Sequence, residues 1–120
     1  MYEHSFEKLH VWQDAIDLVE SVYTITKTFP SSEVYTLTSQ MRRCVISIAS
    51  NLAEGTSRIT DKDKAHFSTI AFSSTMELLN QLIIARRLNY IDEDIYTVIR
   101  EQINKVSNKI NALKKSQSKK

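Results

Sequence analysis

Residues 9–29 read LHVWQDAIDLVESVYTITKTF. Apolar side chains recur here at alternating spacings of three and four residues, the repeat of one helix face. One row is Leu9, Trp12, Ile16, Val19, Tyr23 and Thr26, and beside it lies Val11, Ala15, Leu18, Val22, Ile25 and Phe29. The two rows cover roughly 200° of the surface, whereas an edge helix of a single bundle needs only about 100°. The segment therefore predicts a helix over residues 8–28 with surplus apolar surface.

A second helix is predicted beyond the only proline, Pro30, whose ring disfavours helical geometry in the residue before it. This helix covers residues 33–57, with Ser31 or Ser32 as its N-cap. Gly55, the only glycine, either caps its end or allows another helix to approach closely. Its core row is predicted to be Val34, Leu37, Met41, Val45, Ile48 and Leu52.

Two more helices follow, over residues 61–88 and 92–114. Thr60 resembles the N-cap of the third helix, and Asp92 begins an acidic N-terminus for the fourth. Because the connections are short, consecutive helices are expected to be antiparallel neighbours. The predicted fold is an all-α, up-and-down four-helix bundle. Residues 1–7 form a lead-in, 8–115 the bundle and 116–120 a disordered basic tail.

The composition agrees with a helical domain and excludes a sheet-rich fold and a disordered chain. One glycine and one proline in 120 residues are too few for the turns of a sheet-rich fold. Hydrophobic residues at 42% and charged residues at 25% are typical of a folded chain rather than a disordered one. The net charge of +2 does not by itself indicate a nucleic-acid partner. No apolar run reaches the ~18 residues of a membrane span, so no membrane partner is expected.

The surplus apolar surface predicts self-association. The first and third helices both carry a wide apolar arc, while the fourth has a single narrow row. Copies of the chain are expected to cover this surface in a homo-oligomer. The predicted interface is the second row of the first helix, namely Val11, Ala15, Leu18, Val22 and Ile25.

Helix two also carries a polar row. Its members are Gln40, Arg43, Ser47, Asn51, Glu54 and Arg58. Helical spacing places them within about 80° of one another. Asparagine and serine are poor helix formers that suit specific hydrogen bonds. Three roles are open for this row: its side chains hydrogen-bond to one another inside an assembly, line a central channel, or contact a partner. The alternative is a face that is simply exposed to solvent.

Basic residues suggest a nucleic-acid contact if the fold brings them together. The candidates are Arg42, Arg43, Arg58, Arg86, Arg87, Lys114 and Lys115. An oligomer would multiply their modest charge. The alternative role is solubility and complementation of the helix dipoles.

No residue pattern indicates catalysis, a metal or a cofactor. Bundle metal sites use paired Glu-x-x-His motifs, and the nearest match, Asp63 with His66, occurs once. The other histidines, His4 and His10, have no cysteine at ligand spacing. Cys44 is expected to be a small buried hydrophobe in a reducing cytoplasm. We therefore expect a non-enzymatic, cytoplasmic protein.

Several short segments resemble one bacterial family. They are residues 9–15 (LHVWQDA), 29–30 (FP), 33–37 (EVYTL), 40–43 (QMRR), 47–48 (SI) and 51–55 (NLAEG), continued by 77–78 (EL), 81–82 (QL) and 88–90 (LNY). In order and spacing they are similar to the four-helix-bundle proteins encoded by intervening sequences within 23S ribosomal RNA genes.

The resemblance implies a bundle that assembles into a ring, commonly a pentamer. It also implies similarity to the accessory variability proteins of diversity-generating retroelements, which join a reverse transcriptase and contact nucleic acid. The characteristic polar residues that it carries over are Gln40, Arg43, Ser47, Asn51, Glu54, Arg58 and Glu77.

Two hypotheses follow from the residues and the resemblance together. The first is a homo-oligomeric scaffold or adaptor that contacts RNA or a ribonucleoprotein. The alternative is a protein-only interaction module, such as an accessory subunit of a reverse transcriptase, without nucleic-acid binding.

Overall fold

Four α-helices make up most of residues 1–118, the part of the chain that the computed structural model describes. They are α1 (His10–Thr26), α2 (Leu37–Thr56), α3 (Asp61–Arg87) and α4 (Glu93–Gln117), with short 3-10 helices at Ser5–Lys8 and Ser31–Glu33. Residues 1–118 contain no β-strand. The predicted all-α four-helix fold is confirmed.

The helices pack in an up-and-down arrangement. Gly55, near the end of α2, lies against Phe67 near the start of α3. Ser68, also near the start of α3, donates a 2.7 Å hydrogen bond to Gln117 at the end of α4. Within the described residues α1 contacts α2 and α4 but not α3, so α1 and α3 occupy diagonal corners of the bundle.

Gly55 sets the distance at which α2 and α3 cross. A Cβ added there would lie 3.1 Å from the Cβ of Phe67 and 3.8 Å from the carbonyl oxygen of Lys64. Gly55 does not have a positive φ, and α2 continues beyond it to Thr56. Of the two predicted roles, the structure therefore shows the close crossing and not the helix cap.

α2 begins at Leu37, four residues after the predicted start at residue 33. The two serines predicted as N-caps lie instead in the 3-10 helix. The N-cap residue is Thr36, and the Oε1 of Glu33 accepts hydrogen bonds from the Thr36 hydroxyl and, at 3.4 Å, from the Leu37 amide. The Tyr90 hydroxyl donates to the other carboxylate oxygen at 2.7 Å, which ties together the two turns at this end of the bundle. The hydrogen bonds from Thr36 and Tyr90 lower the pKa of Glu33 below its ordinary value.

The starts of α3 and α4 are close to the predictions. The Thr60 side chain accepts a hydrogen bond from the Asp63 amide at 3.1 Å. The Asp92 side chain accepts one from the Ile95 amide at 2.8 Å. Both are N-caps that satisfy an amide without an intrahelical partner.

Near both ends of the described residues the chain forms helical structure that the sequence did not predict. In the lead-in, Ser5–Lys8 form a 3-10 turn, and the ring of Phe6 lies edge-on to Trp12 at 5.0 Å. Because α4 continues to Gln117, the predicted disorder is wrong for residues 116 and 117. The rest of that prediction concerns Ser118, which ends the described residues, and Lys119 and Lys120, which lie outside them.

The predicted interface row of α1 lies in the core of a single chain. Ala15, Leu18 and Val22 have 0% exposure, and Val11 and Ile25 have 4% and 8%. The prediction that these five residues contact other copies is wrong, because helices of the same chain already cover them. The neighbouring row of α1 is only partly buried and reaches the surface: Leu9, Trp12, Ile16, Val19 and Tyr23.

Candidate interaction surfaces

The partly buried row of α1 forms one wall of an apolar groove against α2, here called the α1–α2 groove. The groove has a volume of about 290 Å³ and one polar lining residue, Ser50. Ile46 on the α2 wall is 44% exposed. The other lining residues are Trp12, Ile16, Val19, Ala49 and Ala53. This groove presents the surplus apolar surface that the sequence predicted, on a different row of α1.

A second apolar surface lies on α3, here called the α3 surface. Met76 is 38% exposed. Phe72 and Leu79, on the same face of the helix as Met76, are partly buried. Ile84, which is 40% exposed, lies on a different face of the helix, about 80° away from Met76. Because α1 and α3 occupy diagonal corners, the α3 surface and the α1–α2 groove point in different directions.

The predicted polar row of α2 lies at the surface of the single chain. Gln40, Arg43, Glu54 and Arg58 are exposed, and Ser47 and Asn51 are half-buried. The Asn51 amide group donates to the carbonyl oxygen of Ser47 at 2.8 Å and lies 3.1 Å from its hydroxyl. The centre of the row therefore satisfies part of its own hydrogen bonding, while its ends are open to solvent.

A polar pocket between α2 and α3 unites half of the row with Glu77. It has a volume of about 470 Å³, and its lining residues are Gln40, Arg43, Cys44, Ser47, Ser74 and Glu77. The hydroxyl oxygens of Ser47 and Ser74 are 3.0 Å apart. The Cys44 thiol donates to the carbonyl oxygen of Ser74 at 3.0 Å. Burial, together with the nearby charge of Glu77, raises the pKa of Cys44 to about 12, so the reactive thiolate is disfavoured.

Two of the predicted nucleic-acid contacts have structural roles. Arg42 donates to the Thr26 hydroxyl at 2.9 Å and lies over the Tyr23 ring at 4.6 Å, which joins α2 to α1. Arg58 lies over the Phe67 ring at 4.5 Å, beside the α2–α3 crossing. Cation–π contacts of this kind stabilise the packing of neighbouring helices.

The fold divides the predicted basic residues between the two ends of the bundle. Arg43 and Arg87 lie at the end that contains the α1–α2 and α3–α4 turns. Arg58, Lys114 and Lys115 lie at the opposite end. With 20 residues, α2 is about 30 Å long, so the two groups are well separated. The single basic footprint that the sequence suggested is not formed within one chain.

One basic cluster is formed at the α3–α4 turn, and it includes a residue that the sequence analysis missed. Arg86, Arg87 and Arg100 line one pocket of about 500 Å³, together with Glu93. The other lining residues are Ile83, Asn89 and Tyr96. Arg100 was not predicted because it is 14 positions from Arg86 in the sequence. The two residues come close together only when α3 and α4 pack against each other in antiparallel orientation. We call this site the arginine pocket.

A wider groove separates α1 from α4 and has the opposite charge. It has a volume of about 640 Å³, and Ile95 and Val98 at its edge are 40% and 59% exposed. Its charged lining residues are all acidic: Asp17, Glu20 and Asp94. This α1–α4 groove combines apolar side chains with an acidic rim, a surface that suits a basic partner.

The described residues show no cluster of three or more histidine, cysteine, aspartate or glutamate side chains that would hold a metal ion. Among the helices of residues 1–118, none combines the length and hydropathy of a membrane-spanning segment.

Comparison with known proteins bears on fold and family. A crystal structure of a protein of unknown function from the S23 ribosomal protein family of Bacteroides thetaiotaomicron VPI-5482 superposes with a TM-score of 0.81. Its sequence is 18% identical, and the match covers 88% of this chain and 95% of that chain, so the likeness shows the fold alone. Among curated proteins the comparison finds no match. The model of the family described as 23S rRNA-intervening sequence protein matches residues 7–112, and no catalytic activity is part of that description. The chain belongs to the family of 23S rRNA-intervening sequence proteins.

Proposed function

We propose that this protein is a non-enzymatic scaffold in which several copies of the chain form a ring. The observation that supports the proposal best is the α1–α2 groove, where Trp12, Ile16 and Val19 face an apolar wall of α2. Contiguous apolar surface outside a complete core commonly marks a protein–protein contact. A neighbouring copy in the groove would remove this surface from water, which stabilises the assembly.

Two different apolar surfaces favour a ring over a two-fold dimer. In a ring, each copy uses one patch to contact a different patch on the next copy. The α1–α2 groove and the α3 surface lie on different sides of the bundle and meet this requirement. We adopt five copies per ring, the number that the family resemblance implies.

Ile46→Asp is the variant that tests the groove. Ile46 is 44% exposed in the single chain, so aspartate there should leave the core intact and place a charge in the copy–copy contact. We expect the mass measured by light scattering to fall to that of one chain, while circular dichroism still shows a folded helical protein.

The matched control is Ile59→Asp, because Ile59 is 95% exposed in the α2–α3 turn. This variant should keep the mass of the native assembly. If Ile46→Asp also kept it, the α1–α2 groove would not be the interface.

The proposed scaffold contacts RNA. Support comes from the family description, which refers to 23S rRNA, and from the arginines at the α3–α4 turn, which a ring would repeat in every copy. A single buried thiol, Cys44, suits the reducing cytoplasm in which such an RNA is found.

Affinity for a structured fragment of 23S rRNA tests the RNA contact. We expect binding at low salt and a steep loss between about 50 and about 200 mM salt, because phosphate contacts release condensed counterions. Undetectable binding at the lower salt concentration would remove RNA from the proposal and leave the ring.

A protein-only module is the second candidate, and the α1–α4 groove favours it. Its acidic residues Asp17, Glu20 and Asp94 would repel phosphate and attract a basic protein segment. This candidate predicts a partner protein that stays bound through nuclease treatment and is released by charge reversal at Asp17 and Glu20.

A further inference from the structure

The arginine pocket brings three guanidinium groups to one side of the α3–α4 turn. Arg86 and Arg87 are the last two residues of α3, and Arg100 comes from the second turn of α4. All three line the same pocket of about 500 Å³. The pocket therefore gathers cations from two helices that the turn folds against each other.

Two of these arginines have no carboxylate partner among the described residues. Arg86 forms an ion pair with Glu93 at 3.0 Å, and Glu93 is the one acidic residue that lines the pocket. Arg100 donates to the hydroxyl of Tyr96 and lies 5.8 Å from the centre of its ring, so both of these contacts are with a neutral group. Arg87 is exposed and belongs to none of the ion pairs within residues 1–118. The pocket carries uncompensated positive charge.

The backbone beneath the pocket is held by a closed turn. The Asn89 amide donates to the Arg86 carbonyl oxygen at 3.0 Å, and the Tyr90 amide donates to that of Ala85 at 2.9 Å. The Arg86 side chain is fixed between Glu93 and the Asn89 side-chain oxygen, which it reaches at 3.4 Å. Arg86 and Arg100 are held before a ligand binds, and side chains that are already positioned lose less conformational freedom on binding.

From this geometry we infer that the arginine pocket binds a phosphate group, and that the phosphodiester backbone of an RNA strand supplies it. Guanidinium groups match phosphate oxygens with paired, charge-assisted hydrogen bonds. The Asn89 side-chain amide and the Tyr96 hydroxyl lie beside them as neutral hydrogen-bonding groups. This inference rests on the proposed RNA contact and gives that contact a location.

A ring explains why a strand suits the pocket better than an isolated phosphate. The pocket would recur once in every copy, and a long polyanion would engage several pockets at once. Linked contacts of this kind raise the overall affinity without any new interaction at a single site.

Two double variants of the full chain test the inference. Arg87→Gln with Arg100→Gln removes the two charges of the pocket that lack a carboxylate partner. Lys8→Gln with Lys62→Gln removes two charges of exposed side chains at the opposite end of the bundle, so both variants have the same net charge. Binding to a fluorescein-labelled single-stranded oligoribonucleotide is measured by anisotropy over a series of salt concentrations.

We expect the pocket variant to bind at least about tenfold more weakly, with a salt slope reduced by about 0.7 for each phosphate that the variant no longer neutralises. The lysine variant should bind as the native chain does. Equal affinities of the two variants would overturn the assignment of the pocket while leaving the RNA contact in place.

A titration with inorganic phosphate separates the two parts of the inference. A shift of the Arg100 side-chain NMR signal is expected in the native chain. If that shift occurred but the oligoribonucleotide did not bind, the pocket would stand as a phosphate site and RNA would be overturned as its source. Absence of both responses would overturn the whole inference.

Discussion

Asn89 has a left-handed backbone conformation that few residue types adopt without strain. Its φ is 62°, and it is the one non-glycine residue of positive φ among the described residues. It follows the end of α3, where amides of the turn satisfy the last helical carbonyls. Asparagine enters this left-handed region more readily than most residues, whereas a β-carbon without a local polar partner is strained there.

We therefore expect alanine and glycine at position 89 to change the free energy of unfolding differently. Asn89→Ala should lower the free energy of unfolding by about 1 kcal/mol, because left-handed backbone costs roughly that much. Asn89→Gly should preserve or raise it. Urea denaturation of both variants measures the difference, and an alanine variant as stable as the native chain would contradict the role of the turn.

Individual contacts were predictable from sequence where they are local. Thr60 and Asp92 each accept a hydrogen bond from an amide three residues later in the chain, so the local sequence was enough to predict both N-caps. The left-handed backbone of Asn89 and the approach of Arg100 to Arg86 were not, because asparagine occurs in many conformations and the arginines meet only after α3 and α4 have packed.

At the scale of the elements, the start of α2 shows how tertiary contacts move a boundary. The serines before Glu33 are good local N-caps, and they predicted a helix from residue 33. In the structure Glu33 accepts a hydrogen bond from Tyr90, 57 residues away, and another from the amide of Leu37, where α2 begins. No pattern near residue 33 encodes that partner.

The prediction from periodicity assigned the two apolar rows of α1 the wrong way round. Both rows have the period of a helix face, so periodicity alone does not say which one enters the core. Ala15 lies fully buried in one row, and its small side chain lets a neighbouring helix approach. Trp12 and Tyr23 in the other row are large and carry polar atoms that favour a partly exposed position. Residue size was thus a signal, present in the sequence, that distinguishes the two rows.

At the scale of the whole molecule, burial of apolar surface connects fold to function. One row from each helix completes a core within the chain, while the α1–α2 groove and the α3 surface remain partly exposed on different sides. A ring would cover both surfaces and would gather one arginine pocket from every copy. The modest net charge of +2 per chain would then become a repeated array of cationic sites.

The mass of the native chain in solution tests this account most directly. Size-exclusion chromatography with light scattering should give a mass near five times the 13.8 kDa of one chain, unchanged by dilution over the working range. A compact species of 13.8 kDa that persists at high concentration would show that the exposed grooves do not join copies of the chain, and would contradict the account.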